Sequence, residues 1–367
     1  MSLDNKTKLN YQLVKCIAND NLSVEQKLKK MDYVICLGAD VDDLDKQGIW
    51  GLLKDCCDEE VVKFLKKRGV NDFSKNNKKL TKFFRCSDID ELNEFLQALP
   101  DGFELDCDVD LRNRRMESLP NFSRFVVKGD FDCGDNKLTS LIGCPKKILG
   151  SFFCRNNKII TLVGGPEVIG GTFDCSVNKG LENLVGLPKE GVKDICCIGC
   201  CLESLEGAPK TIKGNFYCSC NRLTSLNGGP EYVGGDFWCQ NNRINSLDGA
   251  PREVEGDFFC QNNELITLVG GPERVGKQYD CQENRLTILN GAPIEVGGRF
   301  DCQKNNLKSL KGAPQKVGGN FCVDGNPLTT LVGKPKFIGG LFVCKDVKEN
   351  VFAKLENNIR DLFSWSR

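Results

Sequence analysis

The densest group of chemically capable side chains in this sequence is a run of thiols: Cys196, Cys197, Cys200 and Cys201, followed by Cys218 and Cys220. A C-C-x-x-C-C pattern can be read as a metal site or as a redox pair, because thiolates ligate soft cations and exchange disulfides. Asp280 and Asp301, 21 residues apart, offer a second chemistry, paired carboxylates for acid-base work. Both groups lack their usual helper. The chain contains no histidine, which removes Ser-His and Cys-His nucleophile pairs, the commonest general base near neutral pH and the commonest zinc ligand. Tyr217, Trp238 and Phe259 recur at the same step of 21, and their chemistry suits recognition.

That step identifies the elements that must position all of these residues. Cys133, Cys154, Cys175, Cys197, Cys218, Cys239, Cys260, Cys281 and Cys302 follow one another at 21 residues, with one step of 22, and Val323 and Cys344 continue the series. The unit reads G-x-F-x-C-x-x-N-x-L-x-x-L-x-G-x-P-x-x-V, as in Gly235 through Pro251. Phe and Cys two positions apart point to the same side of a short strand, so they form two inward columns along a stack of turns. Cysteine then serves as a small hydrophobe, and the period accounts for most of the 22 cysteines better than a disulfide framework does. Alternate residues of a strand face opposite ways, which argues against all six clustered thiols converging on one ion.

The other positions have physical roles of their own. Asn136, Asn157, Asn178, Asn221, Asn242, Asn263, Asn284, Asn305 and Asn326 follow the strand, where a buried amide can satisfy backbone groups of neighbouring turns. Cys200 breaks this column and is expected to be a weak rung. Leucine closes the core from the opposite wall. A Gly-x-Pro turn then sends the chain back, and the proline is expected to keep the return segment from pairing as a strand or forming a helix. The step of 22 comes from an extra residue at Gly180, an insertion that stacked units tolerate in a turn.

C-x-x-N-x-L-x-x-L followed by a Pro-containing return resembles the leucine-rich repeat, with Phe and Cys where Leu or Val is usual. The repeat length is similar to the short repeats of bacterial effector proteins, and the L-x-G-x-P-x-x-V-G-G-x-F-x-C wording is similar to repeat proteins of giant DNA viruses and phages. The resemblance covers residues 101–345, about twelve turns. It implies a leucine-rich-repeat-like parallel β solenoid and, for function, a recognition surface. Before it, residues 1–100 show helical periodicity. Leu37-Gly38-Ala39-Asp40-Val41, then Asp45 to Leu53, and Arg68-Gly69-Val70-Asn71-Asp72 are similar in order to ankyrin repeats, although Trp50, Gly51 and Leu53 depart from the usual helix start. A generic helical hairpin is the other reading of that segment.

The expected architecture is therefore an α+β repeat protein: a helical, ankyrin-like domain at 1–100, the solenoid at 101–345, and a helical cap at 346–367, where Val351, Phe352, Leu355, Ile359, Leu362 and Phe363 recur at helical spacing. Phe103 to Leu111 alternates apolar and acidic residues and reads as a first, longer strand. Fifty basic residues balance fifty acidic ones, so no whole-chain field favours nucleic acid or membrane. With no long apolar run and no apolar core in MSLDNKTKLN, a soluble cytoplasmic protein is expected.

If the strands line one wall, the residue between Phe and Cys faces outward. Tyr217, Trp238 and Phe259 then lie side by side, with Gln240, Gln261 and Gln282 in one flanking column, Asp236 and Asp257 in the other, and Asp280 and Asp301 continuing the central one. Aromatics on a sheet also pack cross-strand without binding anything. An aromatic centre with a polar, acidic rim is the arrangement of a protein-binding hot spot that favours a basic partner. The sequence thus points to a non-catalytic interaction scaffold with no cofactor, possessing a protein partner and no nucleic-acid or membrane partner. Its viral and effector resemblance implies a factor that sequesters a host component. A self-associating assembly protein, or a metal or redox protein using Cys196–Cys220, are the other readings.

Overall fold

The computed structural model describes residues 23, 26, 84–85, 89–99, 101–188 and 191–345. The segments expected to be ankyrin-like, around 37–53 and 68–72, and the helical cap expected at 346–367 lie outside the described residues. By internal contacts the chain divides into two compact units, Met1–Cys154 with Gly164–Gly170, and Arg155–Val163 with Gly171–Arg367.

Within each unit a typical turn carries two short strands, a leading and a trailing one, and each pairs in parallel with its counterpart one repeat later, which makes a parallel β-solenoid. In the first unit the leading strands are Glu104–Leu105, Val126–Val127, Lys147–Ile148 and Val168–Ile169, and the trailing ones Val109–Asp110, Phe131–Asp132 and Phe152–Phe153. In the second, leading strands run from Thr211–Ile212 to Phe337–Ile338 and trailing strands from Thr172–Asp174 to Phe342–Val343.

The leading strands correct the expectation that proline keeps the return from pairing. In the turn after Pro230 the strand Tyr232–Val233 begins two residues on, where the amides are available again: Glu231 N donates to Lys210 O at 2.8 Å and Gly234 N to Ile212 O at 2.9 Å. The missing proline donor falls just outside the paired residues, so it costs the sheet nothing. Phe103 to Leu111 is likewise two strands and not one. The chain bends at Asp106 to Asp108, and the register Val109↔Phe131 still brings Leu111 to the position of Cys133.

The Phe and Cys side chains of the trailing strands fill the interior. Consecutive rings stack, Phe216 on Phe237 at 5.6 Å and Phe237 on Phe258 at 5.5 Å, with planes 10° apart in both pairs. Each fully buried ring contributes about 1.5–3 kcal/mol of hydrophobic stabilisation. At the start of the first unit, helix α1 (Ile89–Ala98) turns Leu92, Phe95 and Leu96 inward, positions spaced three and four apart. Phe84 joins Phe95 and Phe122, with ring centroids 5.6 and 6.0 Å away. This covers the apolar end of the stack, which an acidic first strand alone would leave open. Among the described residues no helix is long and apolar enough to cross a membrane.

The asparagine column ties turns together. Asn221 Nδ2 donates to the carbonyls of Cys197 and Cys218 at 2.9 and 3.0 Å, while its Oδ1 accepts from Cys200 N and Leu202 N at 2.9 and 3.0 Å. Asn136, Asn263, Asn284, Asn305 and Asn326 repeat the arrangement. At Cys200 the thiol takes over the donor role, bonding the Cys175 carbonyl at 3.1 Å. In the preceding turn Leu181 N bonds the Asn178 carbonyl at 3.0 Å, within the turn itself. That local bond closes the turn lengthened by Gly180, so the inserted residue and the missing asparagine compensate each other.

Two residues after each inward cysteine the backbone turns left-handed. Asp135, Asn156, Asn241, Asn262, Glu283 and Lys304 have φ between 51° and 58°. Val177, with φ 60°, occupies the same place although a β-branched side chain is strained there. It is exposed and has little packing to lose. Val177→Asn is therefore expected to raise stability by about 1 kcal/mol, read as a higher urea midpoint with unchanged slope; a lower midpoint would contradict the strain.

Candidate functional site

The trailing strands of the second unit carry the outward column. Because Phe216, Phe237 and Phe258 point inward, Tyr217, Trp238 and Phe259 point out, and the registers Tyr217↔Trp238 and Trp238↔Phe259 place them side by side. All three are half-buried. Tyr217 and Trp238 have centroids 4.5 Å apart with planes tilted by 47°, and Trp238 and Phe259 stack at 5.6 Å and 18°. Rings in contact normally lie about 3.5–4 Å apart, so near-parallel rings at the larger centroid distance are offset like treads, each leaving part of its face uncovered.

One flank is acidic, and its carboxylates do structural work as well. Asp194 Oδ1 accepts Asn215 N at 2.8 Å, Asn215 Oδ1 accepts Asp236 N at 2.8 Å, Asp236 Oδ1 accepts Asp257 N at 2.9 Å, and Asp257 Oδ1 accepts Gln278 N at 2.9 Å. Each side chain thus holds the next turn through one oxygen; the second oxygen of Asp194 accepts Thr172 Oγ1 at 3.3 Å, while Asp236 and Asp257 keep theirs for solvent or a ligand. The first unit repeats this between Asp108 and Asp130. None of the ion pairs among the described residues involves Asp194, Asp236 or Asp257. Their charge is felt at Tyr217, whose hydroxyl is pushed above the usual phenol range first by burial and then by Asp236, Asp194 and Asp257. The sequence reading missed Asn215 as a link in this ladder, although an Asp or Asn recurs there at 194, 215, 236 and 257.

The other flank is the glutamine column. Gln240 and Gln261 bury their Oε1 atoms without a partner, and Trp238 Nε1 is also buried and unpaired. Gln282 differs: its backbone N and Nε2 both donate to Asp280, at 3.0 and 3.1 Å.

The two carboxylates at the end of the outward column do not form an open pair. Asp301 lies at 2% exposure, bonded to Arg299 and to the Gln303 backbone, so the expectation that it is open to a partner in the outward column is corrected. The larger Arg299 and Gln303 side chains close over it. Asp280, aligned with Asp301 in register, is pushed up to about 6, chiefly by burial and further by Asp301, against the pull of Gln282 and Arg299. A carboxyl raised in this way keeps its proton in the fold at a pH where the unfolded chain has lost it. Stability therefore falls as pH climbs from about 4 to 6, and the loss is complete above that window. Asp280→Asn is expected to stabilise by about 1–2 kcal/mol at pH 8 and by almost nothing at pH 4. Urea melts at both pH values check this; equal effects at the two would contradict it.

The clustered thiols are spread over both faces of the wall. Cys197, Cys200 and Cys218 are buried, Cys196 and Cys201 are half-buried and Cys220 is exposed. Burial pushes the thiols of Cys197 and Cys218 well above their ordinary range and Cys196 up to about 11, which keeps them protonated and unreactive. Among the described residues no group of three or more His, Cys, Asp or Glu side chains is placed to hold a metal ion.

A two-strand turn, a buried asparagine column and a leucine wall repeated along a parallel stack define a leucine-rich-repeat-like β-solenoid. No protein-family model matches the sequence and no curated protein matches it. Among solved structures the chain is similar to YopM from Yersinia enterocolitica WA-314, with 17% sequence identity and a TM-score of 0.35, over 65% of this chain and 62% of that one. The chain thus spans less than two thirds of the length of that structure.

Proposed function

We propose that this protein is a non-catalytic interaction scaffold that binds a protein partner on the trailing-strand face of its second unit, in the manner of a pathogen factor that sequesters a host component. The observation that carries the reading is the aromatic stair of Tyr217, Trp238 and Phe259, half-exposed on a rigid wall. Large rings held in fixed positions supply contact area at little entropic cost, which is why such residues dominate binding hot spots. The acidic flank favours a basic protein surface and disfavours a phosphate backbone.

The test is affinity capture from lysates of the source and of candidate host cells, comparing the wild type with a Tyr217→Ala, Trp238→Ala, Phe259→Ala variant whose fold is checked by circular dichroism. One captured protein that binds the wild type at least tenfold more strongly than the variant supports the reading. Equal capture moves binding off this face. Oligomers in sedimentation that depend on the three rings would make the partner a second copy of the chain.

A further inference from the structure

We infer that the stair recognises arginine side chains on an exposed basic segment of its partner; the inference rests on the binding-face reading above and adds the chemistry of the ligand. The acidic flank presents acceptors. Asp236 and Asp257 each commit one carboxylate oxygen to the next turn, Asp194 engages one with Asn215 N and the other with Thr172 Oγ1, and none of the three has an ion-pair partner among the described residues. On the other flank the Gln240 and Gln261 amide oxygens are buried, as is Trp238 Nε1, so the outward charge is that of the carboxylates. A ligand that fits the acidic flank is rich in donors, carries positive charge and has no acceptor of its own. Lysine and arginine meet that description.

The stair separates those two. Offset rings offer strips of π-face, and a planar guanidinium stacks on such faces while its edge donors reach sideways to carboxylate oxygens. An ammonium is a compact, strongly hydrated point charge that cannot do both at once. Burial first, and then the charges of Asp236, Asp194 and Asp257, raise the Tyr217 hydroxyl, so the acidic flank is felt at the first ring of the stair. The stair also ends there on a small neighbour: the register Tyr217↔Cys196 puts a thiol, not a ring, on the preceding turn. One face of Tyr217 therefore meets no neighbouring ring.

The experiment uses the full chain and three short peptides, glycine-spaced and capped, that carry arginine, lysine or citrulline, the last a neutral isostere of arginine. Calorimetric titration at low salt is expected to show the arginine peptide binding about tenfold more tightly than the citrulline one and about threefold more tightly than the lysine one. The decisive variant is Asp194→Asn, Asp236→Asn, Asp257→Asn. Asparagine already stands in this column at Asn215 and Asn320, where its Oδ1 accepts the next turn's amide at 2.8 Å in both cases. The variant removes charge and keeps the ladder. It is expected to melt like the wild type and to lose at least about tenfold in affinity for the arginine peptide. Equal binding of arginine and citrulline peptides, or undiminished binding by the Asn variant, overturns the inference. If the three-ring variant loses the captured protein while the Asn variant retains it, the arginine assignment fails and the binding face stands; if both retain it, both readings fail.

Discussion

Asn263→Ala is expected to destabilise the second unit by about 2–4 kcal/mol. Its Nδ2 donates to the carbonyls of Cys239 and Cys260, at 3.1 Å each, and its Oδ1 accepts Ile244 N at 3.0 Å, so one amide joins two consecutive turns. Alanine leaves the Ile244 amide without this partner in a site only 9% exposed, while the Cys239 carbonyl keeps Asn242 Nδ2 and the Cys260 carbonyl keeps Asn284 Nδ2. An orphaned buried amide costs about 1–3 kcal/mol, and losing one of two donors at each carbonyl adds about 0.5 kcal/mol apiece, which gives the stated range. Asn263→Asp should do little better, because a carboxylate has no donor for the two carbonyls it would face. Urea unfolding followed by far-ultraviolet circular dichroism checks both. A loss near 1 kcal/mol would mean that the turns are held by packing and strand pairing alone. The native exception at Cys200 shows what compensation requires: a thiol donor at 3.1 Å from the Cys175 carbonyl and a lengthened turn that satisfies Leu181 N locally.

Gly297→Ala is expected to cost about 3 kcal/mol or more, for a different reason. A Cβ at this position would stand 1.9 Å from the carbonyl oxygen of Gly276 on the preceding turn, a distance no contact tolerates, and the obstacle is backbone. The adjoining turns would have to separate, weakening the bond from Gly297 N to Val275 O at 3.2 Å. The proper contrast is Gly199→Ala, where a Cβ would meet nothing within 4 Å and only a φ of +65° opposes it. That change should cost about 1–2 kcal/mol. If both alanines cost the same, close stacking at the bend between leading and trailing strands does not limit this fold.

Much of the architecture is legible in the sequence because a solenoid places each residue beside its equivalent one repeat away. A step of 21 in Phe, Cys, Asn and Leu therefore reads out columns directly. The inward pairing of Phe237 with Cys239, the outward placement of Trp238 and the bridging role of Asn242 all follow from it. The charge balance and the absence of histidine are likewise properties of composition alone.

Tertiary structure decided the features that depend on what one turn offers the next at atomic distance. The leading strands are two residues long, too short to show alternation, and only the amides donated after Pro230 reveal them as paired. Asp236 reads from sequence as a free acidic rim; the structure adds its grip on the Asp257 amide. Asp301 occupies an outward column and is nonetheless buried, because Arg299 and Gln303, neighbours on its own strand, fold over it. Helix α1 covers the first turns through Phe95 and its contact with Phe84, a packing relation that no repeat spells out. Periodicity in the chain determines which face a residue occupies, because backbone geometry alternates sides strictly. Exposure, pairing and the offset of the rings depend on neighbouring side chains and on the separation of the turns, and those exist only once the chain is stacked.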